Sequence, residues 1–139
     1  MRIVLDTNCL IQCVAHHSVY HSVWRSIVTG RNTLCVSNEI LFEYNEILQR
    51  FFSPQFANAV LDAIEESKFV EFIHSDYRFN LITADPDDNK FVDCAIQANA
   101  RYIATNDHHY DVLRQINFPV VDVMALNDFL NLLHSEELL

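Results

Sequence analysis

Two short apolar runs end in carboxylates, and these are the residues best placed to do chemistry. Arg2-Ile3-Val4-Leu5 leads into Asp6-Thr7-Asn8, and Tyr102-Ile103-Ala104 leads into Thr105-Asn106-Asp107. Taken singly, Asp6 reads as an Asx turn and Asp107 as a helix cap. Taken together, two strand ends with the same chemistry would place two carboxylates side by side if the strands are neighbours. Carboxylates crowded into one cleft repel and raise one another's pKa values. A divalent ion with a preference for oxygen ligands, Mg²⁺ or Mn²⁺, removes that cost.

Further acids lie on predicted helices. The segment Asn38 to Phe51 carries an apolar stripe of Ile40, Tyr44, Ile47 and Phe51, widened by Leu41 and Leu48. At about 100° per residue, Glu39 and Glu46 fall roughly opposite this stripe, as ordinary solvated charges do. Glu43 falls at its border, about 90° from the centre, where a carboxylate can reach a site at the sheet edge. In the helix after Asp88, Phe91, Cys94, Ala95 and Ala98 form one stripe. Asp93 points away from it, as Ile96 does, so the angle leaves Asp93 open between a solvent-facing acid and a site acid. Asp88 reads as an N-cap, and Lys90 as either a plain surface lysine or a phosphate contact.

The elements that must position these residues follow from period and punctuation. Strands are expected at 2–5, 34–36, 69–74, 102–105 and 120–123. Helices are expected at 9–15, from a cap at Ser18 to Gly30, 38–51, from Ser53-Pro54 to 66, to about 98 after Asp88, from Asp107 to 116, and at 126–133. Short, continuously apolar strands alternating with helices imply an α/β fold with a parallel sheet covered on both faces. Ligands of such sheets bind at the carboxyl ends of the strands. The segments that matter are therefore Asp6-Thr7-Asn8, Ser37-Asn38 and Thr105-Asn106-Asp107.

Composition narrows the classes. A chain of 139 residues with half of them apolar supports a single domain over 1–139 with one core. Its single glycine excludes a glycine-rich phosphate loop or a dinucleotide turn. No apolar run is long enough for a membrane helix, and nothing reads as a signal peptide, so a cytoplasmic location is expected. The net charge of −10 argues against a broad electrostatic grip on nucleic acid. Cys9, Cys13, Cys35 and Cys94 lack CxxC spacing and read as reduced core residues. The histidines fall in scattered pairs such as His16-His17 and His108-His109, which does not support a His/Cys zinc site.

Four motifs in order resemble the PIN (PilT N-terminus-like) domain family, and most of all its branch of toxin components of toxin–antitoxin systems. They are Arg2 to Asn8, Ser37-Asn38-Glu39-Ile40-Leu41-Phe42-Glu43-Tyr44, Asp85-Pro86-Asp87-Asp88-Asn89-Lys90-Phe91-Val92-Asp93, and Thr105-Asn106-Asp107. The resemblance spans Arg2 to about Val123. It implies a three-layer α/β/α sandwich whose five-stranded parallel sheet has the order 3-2-1-4-5. It also implies an Mg²⁺/Mn²⁺-dependent endoribonuclease whose acids match Asp6, Glu43, Asp93 and Asp107, with Asp88 as an additional acidic position. Thr7, Asn8, Ser37, Lys90, Thr105 and Asn106 would orient waters or phosphate oxygens around them. RNA is the implied substrate, an antitoxin protein a partner, and a homodimer the family-level assembly. One departure is visible. Many members carry an acid two positions after the one matching Asp107, and here His109 stands there; Asp111 lies one turn further on. The competing reading is a catalytically silent PIN-fold module that binds RNA or protein.

Overall fold

The computed structural model describes residues 1–74 and 77–137. Strand β1 (Arg2–Leu5) is followed by α1 (Thr7–Val14), α2 (His21–Val28), β2 (Thr33–Val36), α3 (Asn38–Phe51), α4 (Pro54–Glu66) and β3 (Glu71–Phe72). A 3-10 turn at Pro86–Asp88 leads into α5 (Asn89–Ala98), β4 (Tyr102–Ala104), a 3-10 segment at His108–Gln115, β5 (Val123–Met124) and α6 (Leu126–Glu137). The strands form one parallel sheet of order β3-β2-β1-β4-β5, the order the resemblance implied. Ile3, Val4, Leu5, Leu34, Cys35, Val36, Ile103 and Ala104 are completely buried, as expected of strands covered on both faces. Helix α5 packs across β1, β2 and β4, and α3 packs on both α1 and α4.

Local chemistry accounts for most boundaries. Ser37 starts α3 by accepting from the Ile40 N–H, and Ser53 starts α4 by accepting from Phe56 N–H, with Pro54 at the first helical position. Gly30 has φ +81°, and a Cβ there would sit 2.7 Å from the Phe69 ring, so this turn after α2 admits no side chain. All four cysteines are free and buried. No helix among the described residues is long and apolar enough to cross a membrane.

Four elements differ from the sequence reading. Ser18 does not cap α2; its hydroxyl accepts from Tyr20 N–H, and the helix begins at His21. Strand β3 is reduced to Glu71–Phe72 at the sheet edge, where only β2 is available as a partner. The fifth strand lies at Val123–Met124 rather than 120–123, because its ladder to β4 begins only where Ile103 N–H donates to the Asp122 carbonyl at 2.9 Å. The short helix expected after Asp107 takes the tighter 3-10 form, and Asp107 caps it by accepting from His109 N–H at 2.9 Å.

Candidate metal centre

The parallel β1–β4 pair brings the two acidic strand ends together. Leu5 lies opposite Ala104, and the ladder continues one step, with Asp6 N–H donating to Ala104 O at 3.1 Å. The Thr105 hydroxyl donates to Asp6 Oδ2 at 2.9 Å and accepts from the Asp107 N–H at 3.1 Å. Thr7 N–H donates to Asp6 Oδ1 at 2.8 Å. Both strand ends thus converge on one carboxylate, which is 7% exposed. Burial raises the Asp6 pKa, the hydrogen bonds from Thr105 and Thr7 oppose the rise, and the charges of Glu43 and Asp107 add to it. Beneath the cluster, Tyr44 donates to Leu5 O at 2.6 Å and anchors α3 to the end of β1.

Glu43 reaches this cluster from the border of the α3 stripe. Its Oε2 accepts from the Thr7 hydroxyl, and its Oε1 lies 2.8 Å from Lys90 Nζ. Lys90 also donates to the Asp87 carbonyl at 2.8 Å, which pins the ammonium at the start of α5. Glu39 and Glu46 instead form exposed ion pairs with Arg78 and Arg50, as their angles on α3 required.

Asp88 completes the set. It stands at the N-terminal boundary of α5 but makes no capping hydrogen bond, so the cap expected from sequence is absent. Its Oδ2 is buried and has no hydrogen-bond partner. Burial pushes its pKa up to about 6, helped by the negative charges of Asp85, Asp6 and Asp107 and opposed by the nearby His109 side chain. An unpartnered, buried carboxylate oxygen in a nest of acids is costly without a cation. Asp6, Glu43, Asp88 and Asp107 offer the oxygen donors that a hard divalent ion prefers, although among the described His, Cys, Asp and Glu residues only Asp85, Asp88 and His109 bring three candidate ligand atoms within 4.8 Å of one another.

Asp93 stands in the body of α5. It is buried, and its Oδ1 accepts from Phe79 N–H at 3.1 Å. Burial raises its pKa, while the Phe79 hydrogen bond and the Arg78 charge lower it; the acids of the cleft do not enter. Through Oδ1 the Asp93 carboxylate holds the segment before α5. The physical reason is its angle. Asn89, Asp93 and Gln97 recur every four residues on α5, and all three hold the same strap: Asn89 bonds to Ile82 N–H and O, Asp93 to Phe79 N–H, and Gln97 to His74 O.

The remaining positions divide in the same way. Thr7 and Thr105 bond directly to the acids. Ser37 is the α3 cap, and Asn106 Oδ1 accepts from Leu126 N–H at 3.0 Å, which fixes the start of α6. Asn8 is exposed, and together with Asp6, Ile11, Gln12, Phe51, Asn106 and Asp107 it lines an open cleft of about 460 Å³. Asp111, one turn on from Asp107, lies 3.3 Å from His108 Nδ1 and 3.9 Å from Arg114. Sequence reasoning did not place Asp85 and His109 in the site. Their side chains join Asp88 in a group whose candidate ligand atoms lie within 4.8 Å of one another. The turn Asp85-Pro86-Asp87-Asp88 was the only sequence signal for Asp85.

A parallel sheet of this order, with acids from β1, α3, the start of α5 and the end of β4 gathered at its carboxyl edge, defines an α/β domain of the PIN type. The chain belongs to the PIN domain family, whose pattern it matches over residues 2–109. No curated protein matches the sequence. Among solved structures, it is similar to VapBC2 of Rickettsia felis bound to a promoter DNA fragment, with TM-score 0.62 and 17% identity over 90% of this chain and 98% of that one. It is similar to VapC20 of Mycobacterium tuberculosis, a toxin cleaving the sarcin–ricin loop, with TM-score 0.56 and 15% identity over 81% and 94% of the two chains. The PIN domain endonuclease Utp24 aligns with TM-score 0.52 and 16% identity over 89% and 84%. At these identities the likeness is one of fold.

Proposed function

We propose that the protein is a divalent-metal-dependent endoribonuclease, the toxin of a toxin–antitoxin pair, with Asp6, Glu43, Asp88 and Asp107 as its metal-binding acids. The observation that carries this reading is the unpartnered, buried Asp88 Oδ2 beside Asp6 and Asp107. Membership of the PIN family and the endonuclease Utp24 support nuclease chemistry, VapC20, a sarcin–ricin-loop cleaving toxin, supports RNA as substrate, and the VapBC neighbour supports a toxin–antitoxin pair. Asp93, which the resemblance placed among the catalytic acids, is assigned to positioning the segment before α5.

A bound Mg²⁺ or Mn²⁺ supplies charge neutralisation at the phosphoryl oxygens and a lowered pKa for an attacking water. The chain's own residues set the geometry. Thr105 and the Thr7 N–H hold Asp6 in one orientation, and the Thr7 hydroxyl does the same for Glu43. Lys90, tethered to Asp87 O beside Glu43, presents the cation nearest the acids and suits a phosphate oxygen of the substrate.

Incubation of the purified protein with single-stranded and structured RNA, with Mn²⁺, Mg²⁺ or chelator, tests the reading. Internal cleavage that requires the metal and is lost in Asp88→Asn is expected. Binding without cleavage would select the silent module instead. Co-purification with the product of an adjacent small gene tests the toxin assignment separately.

A further inference from the structure

His109 stands where the sequence pattern expects an acid, and its surroundings give the imidazole a role. Its Nδ1 lies 3.6 Å from Asp88 Oδ2 and 3.3 Å from Asp107 Oδ1. Charge-assisted N–H···O bonds are shorter, about 2.7–2.9 Å, and Asp88 Oδ2 has no hydrogen-bond partner although it is buried. Two atoms that ligate one ion at about 2.1 Å and subtend 90–110° are about 3.0–3.5 Å apart. The Asp88–His109 separation is therefore long for a direct bond and close to that of two ligands of one cation. Asp85 supplies a third candidate ligand atom within 4.8 Å of both. Lys90 pairs with Glu43 and donates to the Asp87 carbonyl, and it forms no ion pair with Asp85 or Asp88 among the described ones. The Asp85–Asp88 flank has no comparable lysine or arginine among its described ion pairs.

We propose that Asp85, Asp88 and His109 form a second cation position beside the carboxylate cluster, with the imidazole nitrogen of His109 as a direct ligand. The proposal rests on the reading of this cleft as a metal site and adds what the ion there must be. Imidazole is a borderline ligand that suits transition ions, whereas Mg²⁺ demands oxygen. This position selects Mn²⁺ or Zn²⁺ over Mg²⁺, while the all-carboxylate position accepts either. The replacement of an acid by His109 is then a change of metal preference rather than the loss of a site.

The test uses Mn²⁺ as the probe, on the intact protein. Titration gives stoichiometry, and pulsed electron paramagnetic resonance reports any nitrogen nucleus coupled to the ion. Two Mn²⁺ and an imidazole nitrogen signal are expected in the wild type, and His108→Gln should keep both. In His109→Gln the nitrogen signal should vanish and one Mn²⁺ should remain. Outer partners of metal ligands already contribute about 10–100-fold to affinity, so the second Mn²⁺ should weaken by at least about tenfold. His109→Asp should restore two ions and let Mg²⁺ compete for both. Circular dichroism establishes that each variant is folded, and metal-induced shifts in melting temperature give a second readout. Mn²⁺ bound without a nitrogen signal, or a signal that survives His109→Gln, would overturn the imidazole ligand and leave the carboxylate centre standing. Absence of any Mn²⁺ binding would overturn both.

Discussion

Asp88 and Asp93 are the same residue type, five positions apart, and both are buried, Asp88 just before α5 and Asp93 within it, yet their hydrogen bonding differs. Asp88 feels the charges of Asp85, Asp6 and Asp107, and its Oδ2, with His109 Nδ1 3.6 Å away, has no hydrogen-bond partner. Asp93 faces the strap before α5, where Phe79 N–H and Arg78 satisfy it. One region is polar and unsatisfied, the other polar and satisfied. Buried polar groups in folded proteins are almost always paired, so an exception calls for a role outside folding. The strap region follows the rule: Asn89 alone supplies both a donor and an acceptor to Ile82. The contrast teaches that burial and pKa direction do not identify a functional acid, since both aspartates are raised. What separates them is whether the fold supplies a partner.

The largest expected effect sharpens this contrast at the level of chemistry. Asp88→Asn and Asp6→Asn should each lower metal-dependent RNA cleavage by about 100-fold or more, the rate equivalent of about 3 kcal/mol of transition-state stabilisation. Asp93→Asn keeps an oxygen for Phe79 N–H and should cleave close to the wild-type rate. Single-turnover rates on one RNA measure all three, and loss of cleavage in a fully folded Asp93→Asn would break the comparison.

Metal binding gives the next effect. At about 100 times its dissociation constant, Mn²⁺ should stabilise the wild type by about 2.7 kcal/mol. Asp88→Asn should gain much less, and Asp93→Asn as much as the wild type. Thermal melts with Mn²⁺ and with chelator read the difference, and a wild-type melting point indifferent to Mn²⁺ would remove the metal centre.

Stability without metal should show the reverse order. Asp93→Ala leaves Phe79 N–H without its acceptor and should cost about 1–3 kcal/mol in urea unfolding, whereas Asp93→Asn should cost far less. An equal loss in both variants would mean that the Arg78 charge, rather than the hydrogen bond, holds the strap.

The smallest effect concerns pH. Asp88 titrates at about 6 in the folded protein, against about 3.9 in an unfolded chain. Between these values the folded state binds more protons, so this group's contribution to stability falls as pH rises and its penalty is complete above about pH 6. Asp88→Asn should therefore make the metal-free protein more stable at pH 7.5, by about 1 kcal/mol once solvent screening is discounted. The gain should fade by about pH 4. Urea midpoints at the two pH values check this, and a gain that persists at pH 4 would locate the strain in packing rather than charge.

Much of this architecture is legible in the chain. The runs Ile3-Val4-Leu5 and Ile103-Ala104 are short and wholly apolar, as strands buried on both faces must be, and their ends carry Asp6 and Thr105 into contact. The border position of Glu43 and the solvated positions of Glu39 and Glu46 follow from a 100° step alone. The short edge strands were less legible. Glu71–Phe72 and Val123–Met124 have only one partner each, and their limits are set by where that partner ends rather than by their own composition.

The sequence by itself determined the α/β alternation, the sheet order through family resemblance, and the placing of acids at strand ends, because period and apolar runs are local properties. Only the tertiary structure decided what partners the two aspartates have: Phe79 N–H for Asp93, and no hydrogen bond for the buried Oδ2 of Asp88. The helix pattern left Asp93 open between solvent and site, and Asp88 read as a cap. That choice depends on how α5 is rotated against β1 and β4 and on the strap that crosses its Asn89–Asp93–Gln97 face. Those contacts join residues far apart in the chain, so neither the periodicity of α5 nor the composition of its first turn could carry the answer.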